Sequence, residues 1–168
     1  LLNYDISGYL LHYRDKIGSI LKAERGIVRY RTNIADSRTF GVEAYGEVDL
    51  LHLFSKSPAA SSLYFYGNFT FQHGRYFDSK ESAIDGNELE MVPPLITRTG
   101  LTYHWKNLTL SYQYSYTHQH YSDATNARET PSAVVGIIPS YQVMDLSAKY
   151  TLEPFTIETG INNVTNQH

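Results

Sequence analysis

The chain has 168 residues, enough for one domain, with a formal net charge of -3, 15 tyrosines and no cysteine. This composition excludes disulfides and thiolate metal sites, and the lack of a basic patch leaves no footing for nucleic acid. No run of about 18 apolar residues occurs, so no helix can cross a bilayer, whereas a spanning strand needs only about 9–11 residues with alternate positions apolar. A mean hydropathy of -0.36 is compatible with such strands.

The chain opens on Leu1-Leu2-Asn3, inside an extended pattern, and is expected to be a piece of a longer protein. A first strand is predicted from Asn3 to Ile17. Tyr4, Ile6 and Leu10 lie on one phase and Tyr9, Leu11 and Tyr13 on the other, which places a β-bulge near Gly8. Ile17 to Arg31 reads as a folded-over loop or a strand extension. A second strand runs from Arg38 to Leu50. Phe40, Val42, Ala44, Gly46, Val48 and Leu50 face one side, and Gly41, Glu43, Tyr45, Glu47 and Asp49 the other. Three carboxylates on one strand face cannot sit unpaired in a dry core, so that face lines a wet lumen or the outside of a sandwich. A connection over His52–Ser62 leads to a third strand, Leu63–Tyr76, then a polar loop, Asp78–Met91, closed by Pro93-Pro94.

Leu95–Trp105 and Leu108–Thr117 are predicted to form a hairpin turning at Lys106-Asn107. Leu108, Leu110, Tyr112, Tyr114 and Tyr116 share one face, and Thr109, Ser111, Gln113, Ser115 and Thr117 share the other. Tyr103 and Trp105 close the apolar stripe before the turn, as aromatic rings do at a membrane–water interface. A second long polar loop, His118–Pro139, precedes a strand at Tyr141–Leu152, a tight turn at Glu153-Pro154 and a last strand at Phe155–Asn163. Connections after the third and fifth strands are long, and those after the second, fourth and sixth are shorter. Outer-membrane barrels show this asymmetry between their two ends. The fold class is therefore all-β, an antiparallel up-and-down transmembrane β-barrel. About seven strands with unpaired edges cannot close in hydrocarbon, so they form part of a larger barrel.

Three stretches carry a family resemblance. Thr32-Asn33-Ile34-Ala35-Asp36-Ser37-Arg38-Thr39-Phe40-Gly41-Val42-Glu43 resembles the segment that opens a descending strand in TonB-dependent outer-membrane receptors. Pro139-Ser140-Tyr141-Gln142-Val143-Met144-Asp145-Leu146-Ser147 is similar to a later descending strand of those barrels. Gly160-Ile161-Asn162-Asn163-Val164-Thr165-Asn166 is similar to their penultimate strand. The resemblance spans nearly the whole chain. It implies a barrel of about 22 strands around an N-terminal plug. Residues 1–168 would then be part of the C-terminal β-barrel domain, with the plug, the earlier strands and the last strand absent. It further implies uptake of scarce chelates across the outer membrane of a Gram-negative bacterium, driven by the TonB energy-coupling complex. The family takes chiefly ferric siderophores, ferric citrate and haem, and some members take cobalamin or glycans. The closing segments look most like ferric-dicitrate-type receptors. The implied partners are outer-membrane lipid, lipopolysaccharide and a ferric chelate as cargo, with no intrinsic cofactor.

Candidate ligand residues follow from side-chain chemistry. His118 and His120, with Tyr116 and Tyr121, offer imidazole and phenol near the end of one strand, as a metal or haem site requires; the alternative is loop solvation. Arg75, Arg98 and Arg128 offer guanidinium forks for a carboxylate-rich anion such as ferric citrate. They are equally suited to pairing with Glu43, Glu47 or Asp145, or with lipopolysaccharide phosphates. Glu43, Glu47, Asp49, Asp145 and Glu158 fit a wet wall, and no activated nucleophile or metal motif accompanies them, so no enzymatic activity is expected. Asn68-Phe69-Thr70, Asn107-Leu108-Thr109 and Asn163-Val164-Thr165 match glycosylation sequons by chance, in or beside strands. Two other readings stay open. One is a passive porin, autotransporter or barrel-assembly barrel. The other is a soluble β-sandwich or lipocalin-like module, in which Leu101 and Tyr112 would be buried against protein.

Overall fold

Period-two alternation draws most of this chain into strands, and the computed structural model describes residues 2–23, 27–54, 60–128 and 136–167. In chain order the elements are β1 (Leu2–Ala23), β2 (Ile27–Asp49), a short helix α1 (Leu50–Phe54), β3 (Ser61–Phe77), β4 (Leu95–Trp105) and β5 (Leu108–Thr117). They continue with β6 (His120–Tyr121), β7 (Ile137–Ile138), β8 (Tyr141–Leu152) and β9 (Phe155–Ile161). One antiparallel seven-stranded sheet has the order β1-β2-β3-β4-β5-β8-β9, and β6 pairs separately with β7. Each long strand lies beside its neighbour in sequence, as an up-and-down barrel wall requires. β1 and β9 form the two edges.

The register turns local alternation into two continuous surfaces. Leu2, Val48, Phe65, Leu101, Tyr112, Leu146 and Ile161 form one row across all seven strands. One residue along, Asn3, Glu47, Tyr66, Gly100, Gln113 and Asp145 form the next row, facing the other way. The first surface is apolar and open: Phe71 is 57% exposed and Ile157 is 67% exposed. In water so broad an apolar face is a liability, whereas hydrocarbon solvates it without cost. The 10 residues of β5 rise about 24 Å at about 3.4 Å per residue and about 45° of tilt, close to the thickness of an outer-membrane apolar band. β1 and β2, with 22 and 23 residues, are twice that length, and their turn ends stand beyond the band.

The first hairpin departs from the sequence expectation in the place of its irregularity. No bulge occurs at Gly8, because the β1–β2 register runs unbroken from Leu2 to Tyr13. The register shifts instead on either side of Lys16, next to Asp15, whose φ is +51°. Tyr9, Leu11 and Tyr13 therefore stay on the polar face, and the Tyr9 ring occupies the space over Gly41, where a Cβ would lie 2.5 Å from its Cζ. Ile17 to Arg31 belongs to the hairpin as a strand extension, with residues 24–26 outside the described residues. A second departure is α1, which begins at Leu50, the expected end of the second strand, and runs into the connection predicted over His52–Ser62. Asp49 Oδ1 accepts the N–H groups of Leu51 and His52, an N-cap that holds this turn of helix. Asp49 is only 5% exposed, so it caps a helix and does not line an open wall as expected. Pro58 lies outside the described residues.

Two glycines on the polar face admit tyrosines from the neighbouring strand. The Tyr66 ring covers Gly100 and its hydroxyl donates to Gln113 Oε1 at 3.0 Å, two strands away. The Tyr9 ring covers Gly41 and its hydroxyl donates to Gln72 Oε1 at 2.8 Å in the same way. A Cβ on Gly100 would sit 2.5 Å from the Tyr66 ring and 2.7 Å from the Tyr112 carbonyl oxygen, and the latter cannot move without breaking the ladder. Gly100→Ala is expected to destabilise the barrel by about 1–3 kcal/mol. Gly46→Ala, where a Cβ meets nothing within 4 Å, is expected to stay within about 0.5 kcal/mol of the parent. Unfolding of the two full-length variants in detergent checks the pair, and equal behaviour would refute the packing account.

Candidate functional site

The polar face is a wall of phenols, amides and hydroxyls. Arg98 projects from β4, exposed, in register with Asn68 on one side and Ser115 on the other. Among the described residues it joins no ion pair. The neighbouring acids are differently engaged. Tyr45 donates its hydroxyl to Glu47 Oε2 at 3.0 Å, and Asp145 Oδ1 accepts the Asn163 N–H at 2.9 Å. Glu158 pairs with Lys149 at 2.9 Å on exposed stems.

Above this wall the two long loops fold together. Residues 87–94 run beside the upper half of β3, with Tyr76 N–H donating to the Asn87 carbonyl and Leu89 N–H to the Gly74 carbonyl. Leu89 then covers Gly74 and joins Ile34, Ala35, Tyr76, Ile84 and Ala124 in a small buried cluster. The second loop is bound to the first by amide side chains. Asn126 Oδ1 accepts the Glu88 N–H at 2.8 Å and its Nδ2 donates to the Glu88 carbonyl at 2.9 Å, imitating a strand pairing. Asn87 Nδ2 donates to the Ala124 carbonyl at 2.9 Å, and Met91 N–H to the Tyr121 carbonyl at 2.8 Å. Asn126 holds a φ of +52°, a conformation that asparagine tolerates better than most residues.

A charged contact ties this cap to the first hairpin. The register shift beside Asp15 brings Lys16 opposite Ala35, with its Nζ 5.0 Å from the centre of the Tyr76 ring and 3.7 Å from Glu90 Oε1. The Tyr76 hydroxyl donates to Glu90 Oε2. Burial, then the hydrogen bond to Glu90 and its charge, push the Tyr76 hydroxyl well above the ordinary phenol range. It stays a donor wherever the carboxylate is charged. The Lys16–Tyr76–Glu90 contact was not legible in the sequence, since it depends on the register shift and on where a polar loop lands.

The predicted ligand residues do not form one group. The Tyr116 hydroxyl and His118 Nδ1 are 2.9 Å apart, whereas His120 Nδ1 faces the His118 carbonyl at 3.1 Å. β5 stops at Thr117, so His118 and His120 do not share a strand face, and Tyr121 lies with His120 in β6. Among the described residues no three His, Asp or Glu side chains converge as a metal site would need. Arg128 is exposed at the last described position before 129–135. Arg75 stands apart from Arg98: its Nε donates to His73 Nε2 at 2.9 Å, and His73 packs against Phe40 of the apolar face.

Residues 1–164 match the family described as TonB dependent receptor-like, beta-barrel. No curated protein matches the chain in sequence. Among solved structures, the unliganded ferric citrate transporter FecA matches with a TM-score of 0.79 and 16% identity, covering 99% of this chain and 24% of that one. The copper transporter OprC matches with a TM-score of 0.73 and 19% identity, covering 99% of this chain and 23% of that one. The chain thus spans about a quarter of the length of these structures, and the likeness is one of fold.

The cap makes its own prediction. Tyr76→Phe removes the donor to Glu90 and is expected to cost about 1–3 kcal/mol of loop docking. Ser37→Ala is expected to be neutral or mildly stabilising, because the Ser37 hydroxyl is fully buried with no hydrogen-bond partner among the described residues. Amide hydrogen exchange over 78–94 in the full-length protein reads both. Faster exchange in Ser37→Ala than in Tyr76→Phe would overturn the assignment.

Proposed function

Because this chain belongs to the TonB-dependent receptor-like β-barrel family, we propose that it forms part of the wall and mouth of an importer for a ferric chelate, either ferric citrate or a siderophore complex. Members of this family are outer-membrane transporters and not enzymes. Arg98 carries the reading: an exposed guanidinium on the polar wall, outside any ion pair among the described residues. A planar fork of N–H donors suits the carboxylates of a citrate-type chelate, and an uncommitted one keeps its full capacity for that anion. His118, His120, Tyr121 and Arg128 stand nearer the loop end and would make the first contacts, before the anion descends to Arg98. In this reading the plug, the remaining strands and the TonB contact come from parts of the protein outside the sequence described. The likeness in fold to a ferric citrate transporter agrees with the anionic cargo. The copper transporter provides the competing cargo, but the absence of a three-ligand cluster among the described residues disfavours a bare metal ion.

The test is uptake of labelled ferric citrate, a ferric siderophore and cupric ion by cells making the full-length protein, with and without TonB. Uptake of a ferric chelate that needs both proteins is expected. Arg98→Gln is expected to raise the concentration for half-maximal uptake about tenfold, with Arg98→Lys intermediate. Uptake indifferent to TonB, or uptake of cupric ion alone, would overturn the proposal.

A further inference from the structure

The outer, apolar face carries a feature that chelate uptake does not use. One step beyond the Phe40–His73 pair, about 7 Å along the strands, His12, Arg38 and Arg75 sit side by side on β1, β2 and β3. They share the face of Phe40 and Phe77. The Arg38 guanidinium carbon lies 5.2 Å from the centre of the Phe77 ring, and the rings of His12 and Phe77 are 5.5 Å apart. Arg38 and Arg75 are directly opposite one another in register. Like charges facing each other across a strand pair repel, and neither arginine joins an ion pair among the described residues. Two acids are near. Asp36 is occupied, its Oδ1 accepting the Asp15 N–H at 2.8 Å. Glu88 is bridged to Arg75 through the backbone and forms no ion pair with it. Two exposed guanidinium forks, Arg38 held over the Phe77 ring and Arg75 bonded to the His73 imidazole, therefore lack an anion.

We propose that His12, Arg38, His73 and Arg75 form a binding site for the phosphate of a glycolipid in the outer leaflet, whose acyl chains lie along the apolar face below. The proposal rests on the barrel reading above, which makes this face the lipid-facing one. Its position selects the source of the phosphate. The cluster continues directly into Phe40, Val42, Phe71 and Leu10, so an anion with acyl chains gains on both counts, and a free anion gains only on the first. The Phe77 ring holds Arg38 without consuming its N–H donors.

The test uses the purified full-length receptor in detergent, with retention of lipid followed by native mass spectrometry. The probes are lipid A carrying two phosphates, the same lipid after dephosphorylation, and inorganic phosphate. Phosphorylated lipid A is expected to be retained, and R38Q/R75Q is expected to weaken retention about tenfold. K106Q, which removes one charge at the opposite end of the barrel, is expected to retain the lipid like the parent. Equal retention by the parent and R38Q/R75Q, equal retention of dephosphorylated lipid, or displacement of the lipid by equimolar inorganic phosphate would each overturn the site. Should R38Q/R75Q not assemble, R38K/R75K decides: it keeps the charge and loses the fork, and retention equal to the parent would overturn the proposal. Chelate uptake by cells carrying the same variants is a separate readout. Loss of uptake in the parent would strike the transport reading, whereas loss of the lipid alone leaves it standing.

Discussion

Each backbone N–H and C=O of this chain that lies in hydrocarbon must find a partner within the sheet, because lipid offers none. That requirement forces the continuous ladders between consecutive strands, and the ladders in turn align residues of like chemistry across the wall. The row from Leu2 to Ile161 is apolar on all seven strands because the register lets each strand contribute the same phase. A slip of one residue in any pair would carry a polar side chain into lipid along the whole strand. The same requirement explains why β1 and β9, each with one neighbour, belong beside further strands of a closed barrel.

Within that frame the polar wall is built for rigidity. A tyrosine crossing a glycine to reach a glutamine two strands away occurs at Tyr9–Gly41–Gln72 and again at Tyr66–Gly100–Gln113. Each brace spans three strands at the cost of one missing side chain, and it leaves a phenol ring covering backbone that would otherwise face water. The mouth is made differently. Its loops have few apolar residues, so their fold depends on amides that imitate strand pairing and on one buried cluster around Tyr76. Such a cap is expected to open at lower free energy than the wall, as admission of a ligand under the proposed function would require.

Strand alternation also gives chemically identical residues separate roles. Arg98 and Arg75 are alike in sequence terms, yet one stands on the wall facing Asn68 and Ser115, and the other stands beside His73 above the lipid band. Under the proposed function a guanidinium on the first surface would meet a dissolved anion, and under the lipid proposal one on the second would meet a membrane headgroup. The shift beside Asp15 does the same for Lys16, which it places opposite Ala35 to face Tyr76 and Glu90.

The barrel wall was legible in the chain itself. Strands from Leu95 onward appear close to where alternation puts them, and the turn at Lys106-Asn107 and the segregated loop lengths follow from local chemistry. The resemblance at 32–43, 139–147 and 160–166 led to the family that residues 1–164 match. Residues such as Leu110 and Gln113 declare their faces because period two is a property of neighbouring residues alone. What tertiary structure decided is whatever depends on residues far apart. The phase of β1 could not be settled at Gly8, because the reason Tyr9 faces inward is the space over Gly41 on the next strand. The N-cap role of Asp49 needed the helix after it, and the split of His118 from His120 needed the end of β5 and the pairing of β6 with β7. The opposed arginines, Arg38 and Arg75, lie 37 positions apart and meet only through the β2–β3 register. Alternation assigns a side chain to a face, but only the register between strands decides which side chains meet there.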